Sequence, residues 1–323
     1  MENGHNATTS PWHQGERDLQ RLMGVAERME AVGRTVLRPV LLDQHRGFYP
    51  LLPFVVIGAV DGEGAPWATI RAGQPGFLHS PDPSTLVVEA ARDPADPAEA
   101  GMEDGDAIGL VGVDLMTRRR NRMNGTVHRA DVTRFSIGVG QSFGNCPRYI
   151  QQRSFAFFRH PALPSPAAPL VTDTLNETAR SLISCADTFF VASYADGPGG
   201  RQVDASHRGG KPGFVRIDPD GTLTIPDFNG NLFFNTLGNF LVNPRAGLVF
   251  VNWSSGELLQ LTGSVELVLV SPEIQDFPGA ERLWRVKPEK IVLRPEALPL
   301  RWNFKDDGMS PHTLMTGEWS QSA

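Results

Sequence analysis

Cysteine is scarce in this 323-residue chain: Cys146 and Cys185 are the two present. Two thiols cannot build the disulfide framework of a small secreted domain, and their spacing does not suit a zinc site. Long apolar runs are missing too. The longest, such as Leu51 to Val60, are strand-sized and far short of a membrane span. Nor is there an excess of positive charge. The net charge is −6, which predicts no general attraction to nucleic acid or to an anionic membrane. The start, Met1 to Gln20, is polar and carries Glu2, Glu16 and Asp18, without the basic and apolar stretches of a signal peptide. Together these absences predict a cytoplasmic protein with free thiols.

What the chain has in quantity is glycine and proline, 33 and 26 residues. Apolar residues make up 40% and charged residues 20%, an ordinary globular balance. In such a chain Gly and Pro signal turns rather than disorder, and many turns imply many short strands. The length predicts two domains, each with room for its own core.

The chain also repeats itself at a spacing of about half its length. Phe54-Val55-Val56 through Asp61-Gly62 matches Phe189-Phe190-Val191 through Asp196-Gly197. Ala68-Thr69-Ile70-Arg71 through Pro75-Gly76-Phe77 matches Ala205-Ser206-His207-Arg208 through Pro212-Gly213-Phe214. The same offset carries Thr85-Leu86 onto Thr222-Leu223. Gly109 to Asp114 falls on Gly247 to Asn252, and Asn124 to Val127 on Thr262 to Val265. Blocks kept in one order predict a duplicated module.

Each copy reads as all-β. Gly213 to Ile217 and Thr222 to Ile225 flank Asp218-Pro219-Asp220-Gly221, where Pro presets φ and Gly supplies a positive φ, so a hairpin is expected. Ala246 to Trp253 and Glu257 to Val270 flank Ser254-Ser255-Gly256, a second hairpin. Thr85 to Ala90 and Val127 to Val139 are strand-like in the first copy. Short strands with turns between them argue a barrel or sandwich. Helices are few. Leu19, Leu22, Met23, Ala26 and Met29 predict one amphipathic N-terminal helix. Thr174 and Glu177 predict a capping box that opens the second copy. His160 to Pro169 reads as a linker, and the acidic segment Asp93 to Asp106 as a solvated loop.

The copies differ in one informative place. After its hairpin the second copy runs Pro226-Asp227-Phe228-Asn229-Gly230-Asn231 through Thr236-Leu237-Gly238-Asn239, then Asn243-Pro244-Arg245, where the first has the acidic segment. Asn, Thr and Gly offer neutral hydrogen bonds and close backbone approach, which suit an anion or a polar ring edge at a helix start near Asn231. Ser206, His207, Arg208 and Lys211, on or beside the preceding strand, would add charge-assisted hydrogen bonds to a phosphate. Ser206 and His207 are not a hydrolase pair, because adjacent strand residues point to opposite faces.

The stretch Val203 to Val215, with the block through Asn243-Pro244-Arg245 and Gly247 to Val251, resembles the pyridoxamine 5′-phosphate oxidase-like family of FMN-binding split barrels. The chain is similar over roughly Pro11 to Trp319 to an uncharacterised tandem-barrel branch of that family, whose members sometimes precede a ferredoxin-reductase-like module. Ser10 to Glu16, Arg38-Pro39 through Asp43-Gln44-His45-Arg46, Gln141 to Gln151 and Gly279 to Leu283 carry this likeness. The Arg-x-Val-Leu-Leu-Lys and Ser-Arg-Lys patterns of the vitamin-synthesising oxidase are absent, so the likeness does not extend to its reaction.

The resemblance implies an all-β dominated fold with minor α: tandem FMN-binding split β-barrels with an N-terminal helix. It divides the chain into an N-terminal helical extension (1–50), a degenerate first copy (51–160), a cofactor-binding second copy (170–305) and a C-terminal tail (306–323). It implies an FMN-dependent oxidoreductase, with a homodimer and a separate reductase as expected partners. Arg208 with Ser206, His207 and Lys211 would hold the phosphate on one side. Asn231, Thr236, Gly238 and Asn239 would hold it on the other, and the Pro226-Asp227-Phe228 backbone would line the ring. The first copy would cover the flavin with Arg119, Arg122, Asn124, Gln141 or Ser142, within one chain or between two. A non-catalytic flavin or haem binder, with His207 or His45 on iron, and a deazaflavin F420 reductase are the alternatives. The basic run Arg118 to Arg122 reads equally as a solvated helix face and as a contact to an anion. Cys146, near Arg148, is a candidate redox thiol. Trp253, Trp284 and Trp302 read as core, and no catalytic residue stands out.

Overall fold

Strands buried on both faces show continuous apolar runs instead of alternation, and the central strands of this chain are of that kind. The computed structural model describes residues 10–129 and 131–320. The residues before Ser10, part of the reasoning against a signal peptide, lie outside the described residues. Three helices come first: α1 (Gln14–Leu22), α2 (Ala26–Val36) and α3 (Asp43–Arg46). Seven strands follow: β1 (Phe54–Val60), β2 (Pro66–Ala72), β3 (Leu78–His79), β4 (Thr85–Val88), β5 (Ala107–Asp114), β6 (Arg119–His128) and β7 (Phe135–Gly144). Strands β8 (Arg153–Phe157) and β9 (Leu170–Thr172) then lead to α4 (Glu177–Cys185). The second set comprises β10 (Thr188–Gly197), β11 (Gly200–Gly209), β12 (Arg216–Ile217), β13 (Leu223–Phe228), α5 (Asn235–Val242), β14 (Arg245–Val251), β15 (Leu258–Val268) and β16 (Ala280–Arg294). Strand β17 (Leu300–Phe304) pairs with β8, and α6 (Pro311–Leu314) follows.

The two sets form two curled antiparallel sheets with strand orders β2-β1-β5-β6-β7-β4-β3 and β11-β10-β14-β15-β16-β13-β12. Adding nine to each label of the first gives the second. Even the irregularities repeat. The register slips between Asn124 and Gly125 opposite β7, and between Thr262 and Gly263 opposite β16. A Cβ on Gly125 would fall 2.1 Å from the Gly138 carbonyl oxygen, and one on Gly263 2.1 Å from that of Lys287. Both bulges therefore demand glycine.

The ladders correct one block of the sequence comparison by a single residue. Val55, not Phe54, is the equivalent of Phe189, because Val55 faces Arg71 and Phe189 faces Arg208. The cores agree. Val55 and Ile57 join Leu86 and Met123 inside the first barrel, and Phe189 and Val191 join Leu223 and Trp284 inside the second. A one-residue slip exchanges the two faces of a strand. It is invisible in a run that is apolar on both.

The other faces of the central strands meet each other. Phe54, Val56 and Val111 of the first sheet pack on Phe190, Ala192 and Val249 of the second. Glycines allow the approach. A Cβ on Gly109 would lie 2.5 Å from the Val203 carbonyl oxygen, and one on Gly247 2.3 Å from that of Pro66. Gly109 and Gly247 are equivalent positions, as are Pro66 and Val203. The same contact made twice in opposite sense is the mark of an approximate two-fold axis, as in an isologous dimer.

Several local expectations change. The single N-terminal helix is two, because Gly24 takes a left-handed φ of 66° between α1 and α2. Leu22, expected on the buried face, is exposed. Helix α4 is capped by Asn176, whose Oδ1 accepts from the Ala179 N–H at 2.9 Å; Thr174 instead turns back on Thr172. Arg119 to Arg122 lie on β6 rather than on a helix, and the helix expected near Asn231 begins at Asn235. The acidic segment is not a solvated loop: Asp96 is 3% exposed, and the 3-10 turn Pro97–Gly101 packs on β1 and β2. Trp284 and Trp302 are buried, as core residues should be. Among the described residues no helix is long and apolar enough to cross a membrane.

Candidate functional site

The approximate two-fold axis sets β6 and the segment after β7 of the first copy against β11, β13 and the start of α5 of the second. A cleft opens there, with about 950 Å³ of empty space counted out to its mouth. Arg120 and Arg122 come from β6, and Cys146, Arg148 and Tyr149 from the chain after β7. Ser206, His207 and Arg208 come from β11; Pro226, Asp227 and Phe228 from β13.

Strand alternation decides what each residue of β11 meets. Asp204, Ser206 and Arg208 share one face. Asp204 accepts from Arg122 Nη2 at 2.5 Å, Asn124 at 2.8 Å and Asn239 at 2.9 Å. Ser206 and Thr236 hydroxyls are 3.1 Å apart, and Arg208 Nη1 donates to Asp227 at 2.5 Å. His207 projects from the other face against Phe190, at 5.6 Å between ring centroids, and still borders the cleft. Its imidazole is held well below its ordinary pKa by burial and then by the charge of Arg120, and its Nε2 has no partner among the described residues. It is a neutral ring.

The loop into α5 is strained. Leu232 and Phe234 adopt φ of 64° and 62°, and Tyr149 across the cleft one of 63°. Left-handed backbone costs a bulky residue roughly 1–3 kcal/mol and gathers at binding sites. Here it delivers the first turn of α5 to the cleft, where Asn235, Thr236 and Leu237 line it. No described side chain caps this helix. Its free N–H groups and partial positive charge therefore face the open space.

Five guanidinium groups line the cleft: those of Arg120, Arg122, Arg148, Arg208 and Arg282. Arg122 is held by Asp204 and by Asn235 Oδ1 at 3.0 Å. Arg208 and Arg282 share Asp227. Arg148 donates to Asn229 Oδ1 at 2.7 Å. Arg120 makes no ion pair and no side-chain hydrogen bond among the described residues, and its Nε is buried without a partner. Burial, then the charges of Arg122 and Arg208, push it down to about 10. Its side chain is half-buried with Nε enclosed, and a bound anion would supply the partner it lacks.

Beneath this floor α1 docks on α5. A Cβ on Gly238 would lie 2.7 Å from the Glu16 nitrogen. The Glu16 carboxyl accepts from Asn235 Nδ2 at 2.5 Å and from the His13 N–H at 3.0 Å. Burial, then the nearby charge of Asp204, raises it to about 8.

Of the residues expected at the site, Ser206, His207, Arg208, Pro226, Asp227, Phe228, Asn231, Thr236 and Arg122 border the cleft. The others lie elsewhere. Asn124 and Asn239 are spent behind it on Asp204, and Gly238 serves the contact with α1. Gln141 and Ser142 lie on β7, where Ser142 exchanges backbone hydrogen bonds with Arg38. Lys211 points to Glu318, Arg119 stacks over Phe48, and His45 sits on α3. Tyr149 and Arg282 were not expected to contact a ligand, Arg148 was expected only as the cation near Cys146, and Arg120 only as part of the basic run Arg118 to Arg122. Placing the basic run on a strand would have found Arg120, since it then shares a face with Arg122.

No family model and no curated protein sequence matches the chain. Among solved structures it is similar to HupZ of Group A Streptococcus, at 18% identity and a TM-score of 0.26 over 32% of this chain and 94% of that one. It is similar to a candidate pyridoxamine 5′-phosphate oxidase from Lactobacillus delbrueckii, at 16% identity and a TM-score of 0.27 over 33% of this chain and 95% of that one. A third likeness is to Rv2991 from Mycobacterium tuberculosis, at 14% identity and a TM-score of 0.23 over 47% and 95% of the two chains. At these values the duplicated fold stands on its own strand order and not on the neighbours.

Proposed function

We propose that the cleft binds flavin mononucleotide and that the chain is an FMN-dependent oxidoreductase acting on a small molecule. The observation that carries the reading is Arg120: a half-buried guanidinium with an enclosed Nε and no carboxylate partner among the described residues, beside an uncapped helix start. The donor set suits a phosphate. Arg120 and Arg208 bring charge, Ser206 and Thr236 bring hydroxyls, and the first turn of α5 brings N–H groups. The Pro226-Asp227-Phe228 backbone and the paired rings of Tyr149 and Phe228, 5.3 Å apart, suit a flat ring system. Bound FMN would supply the electron transfer; the protein orients it and tunes its surroundings. The Cys146 thiol borders the same space. A separate reductase is the expected electron donor.

A second reading has one observation of its own. His207 is a neutral imidazole with an unpartnered Nε2 at the cleft, a group able to ligate haem iron. The visible spectrum of the freshly purified protein, with mass identification of released cofactor, separates the readings. A yellow protein releasing FMN supports the first. A Soret band lost in His207→Ala supports the second. Tighter quenching of Trp fluorescence by F420 than by FMN would replace FMN with the deazaflavin. A colourless protein that takes up none of the three at micromolar concentration would remove the oxidoreductase reading.

A further inference from the structure

An approximate two-fold axis generates two equivalent clefts, yet one is open. The other lies where β2 of the first copy meets β15 and β16 of the second. Equivalence by ladder register places Thr69 at the position of Ser206, Arg71 at that of Arg208, and Gln260 at that of Arg122. This second cleft is filled by the acidic segment that stands in place of α5.

The carboxylate of Asp96 sits in its centre. Oδ2 accepts from the Thr69 hydroxyl and from Arg71 Nη1, and lies 3.2 Å from Arg294 Nη1. Oδ1 accepts from Gln260 Nε2 at 2.9 Å and from the Ala98 N–H at 3.0 Å. Two guanidiniums, a hydroxyl, an amide and a backbone N–H at the start of a helical turn are what a phosphate or free carboxylate would be given. Asp96, Arg71, Arg294 and Gln260 are all more than nine-tenths buried.

We propose that this face is a second oxyanion site of the same build as the open cleft, permanently occupied by the Asp96 carboxylate of the chain itself. The duplicated protein then binds one anionic ligand per chain rather than two. This rests on the reading that the open cleft takes an anion, and it holds whichever anion that is.

The test is the thermal stability of Asp96→Gly in sodium formate against sodium chloride at equal ionic strength. Deleting the carboxymethyl group opens space beside Arg71 and Arg294, whose remaining carboxylate partners are Glu99 and Asp93. Formate, and not chloride, should raise Tm by a few degrees, saturating in the millimolar range. The rise should persist in Asp96→Gly/Arg120→Ala, where the open cleft is impaired. In Arg120→Ala alone, formate and chloride should act alike. If Asp96→Gly does not fold in chloride, refolding in formate decides: recovery supports the proposal. A folded variant indifferent to formate, or one that formate cannot refold, overturns it.

Discussion

At the scale of single residues, the site turns on which charges are already matched. Arg122, Arg208 and Arg282 are paired with carboxylates, Arg148 has only the neutral Asn229 amide, and Arg120 has no side-chain partner among the described residues. Charge-assisted hydrogen bonds are worth about 1.5–3 kcal/mol. Arg120→Ala should therefore weaken binding of a phosphate-bearing ligand by roughly 10- to 100-fold, read by fluorescence titration with FMN. An unchanged affinity would remove Arg120 from the site. Glu16 gives a pH prediction. Its carboxyl is raised from the ordinary 4.5 to about 8, so between these values the folded protein holds a proton that the unfolded chain has lost. Its contribution is full below about pH 4.5, declines as pH rises toward 8 and is gone above it. His13 beside it is held below its ordinary 6.5 by burial, so it is silent above neutrality. Wild-type Tm should fall between pH 7 and 8 and level off above, and Glu16→Gln should flatten that slope. Equal slopes in both proteins would refute the assignment.

At the scale of elements, α1 and α5 form a glycine-dependent contact at the floor of the cleft. Gly238→Ala would push a methyl group onto the Glu16 backbone. Overpacking of this kind costs roughly 1–3 kcal/mol. The expected result is a lower Tm together with faster proteolysis at the N-terminal segment; a Tm equal to wild type would show that α1 docks differently. Helix α4 tests the corrected cap. Asn176→Ala should cost about 1 kcal/mol in a denaturant titration, whereas Thr174→Ala should stay within about 0.5 kcal/mol. The reverse ranking would restore Thr174 as the cap. The capping-box reading failed because Asn176, one residue before Glu177, already satisfies the helix start. The acidic segment was misread for a related reason. Asp and Pro predict solvent when neighbours are unknown, but Arg71 and Arg294 come from strands far away in sequence.

At the scale of the whole molecule, one chain imitates a dimer. The faces that meet, Phe54, Val56 and Val111 against Phe190, Ala192 and Val249, would be exposed if the copies were separated. The open cleft takes residues from both. Halves cut in the linker between His160 and Pro169 and expressed separately should therefore self-associate or aggregate on size exclusion and fail to bind FMN. Mixing them should restore binding. An isolated second half that binds as tightly as the whole chain would place the site within one copy.

The sequence alone determined that the protein is a duplicated all-β module. Turn residues and paired blocks such as Gly109 to Asp114 and Gly247 to Asn252 are local signals, and local signals survive without coordinates. It also pointed to β11 and to the insert before α5, because polar residues in a segment absent from the other copy have no structural counterpart. Only the tertiary structure decided that Val55 rather than Phe54 answers Phe189, since an apolar run buried on both faces hides its register. It alone decided that Asn124, Asn239 and Gly238 serve the scaffold while Arg120 faces the cleft. A polar side chain is available to a ligand when its partners are elsewhere, and the partners here lie 80 residues away in Asp204 for Asn124 and 35 for Asn239. Pairing across such separations is a property of the folded chain.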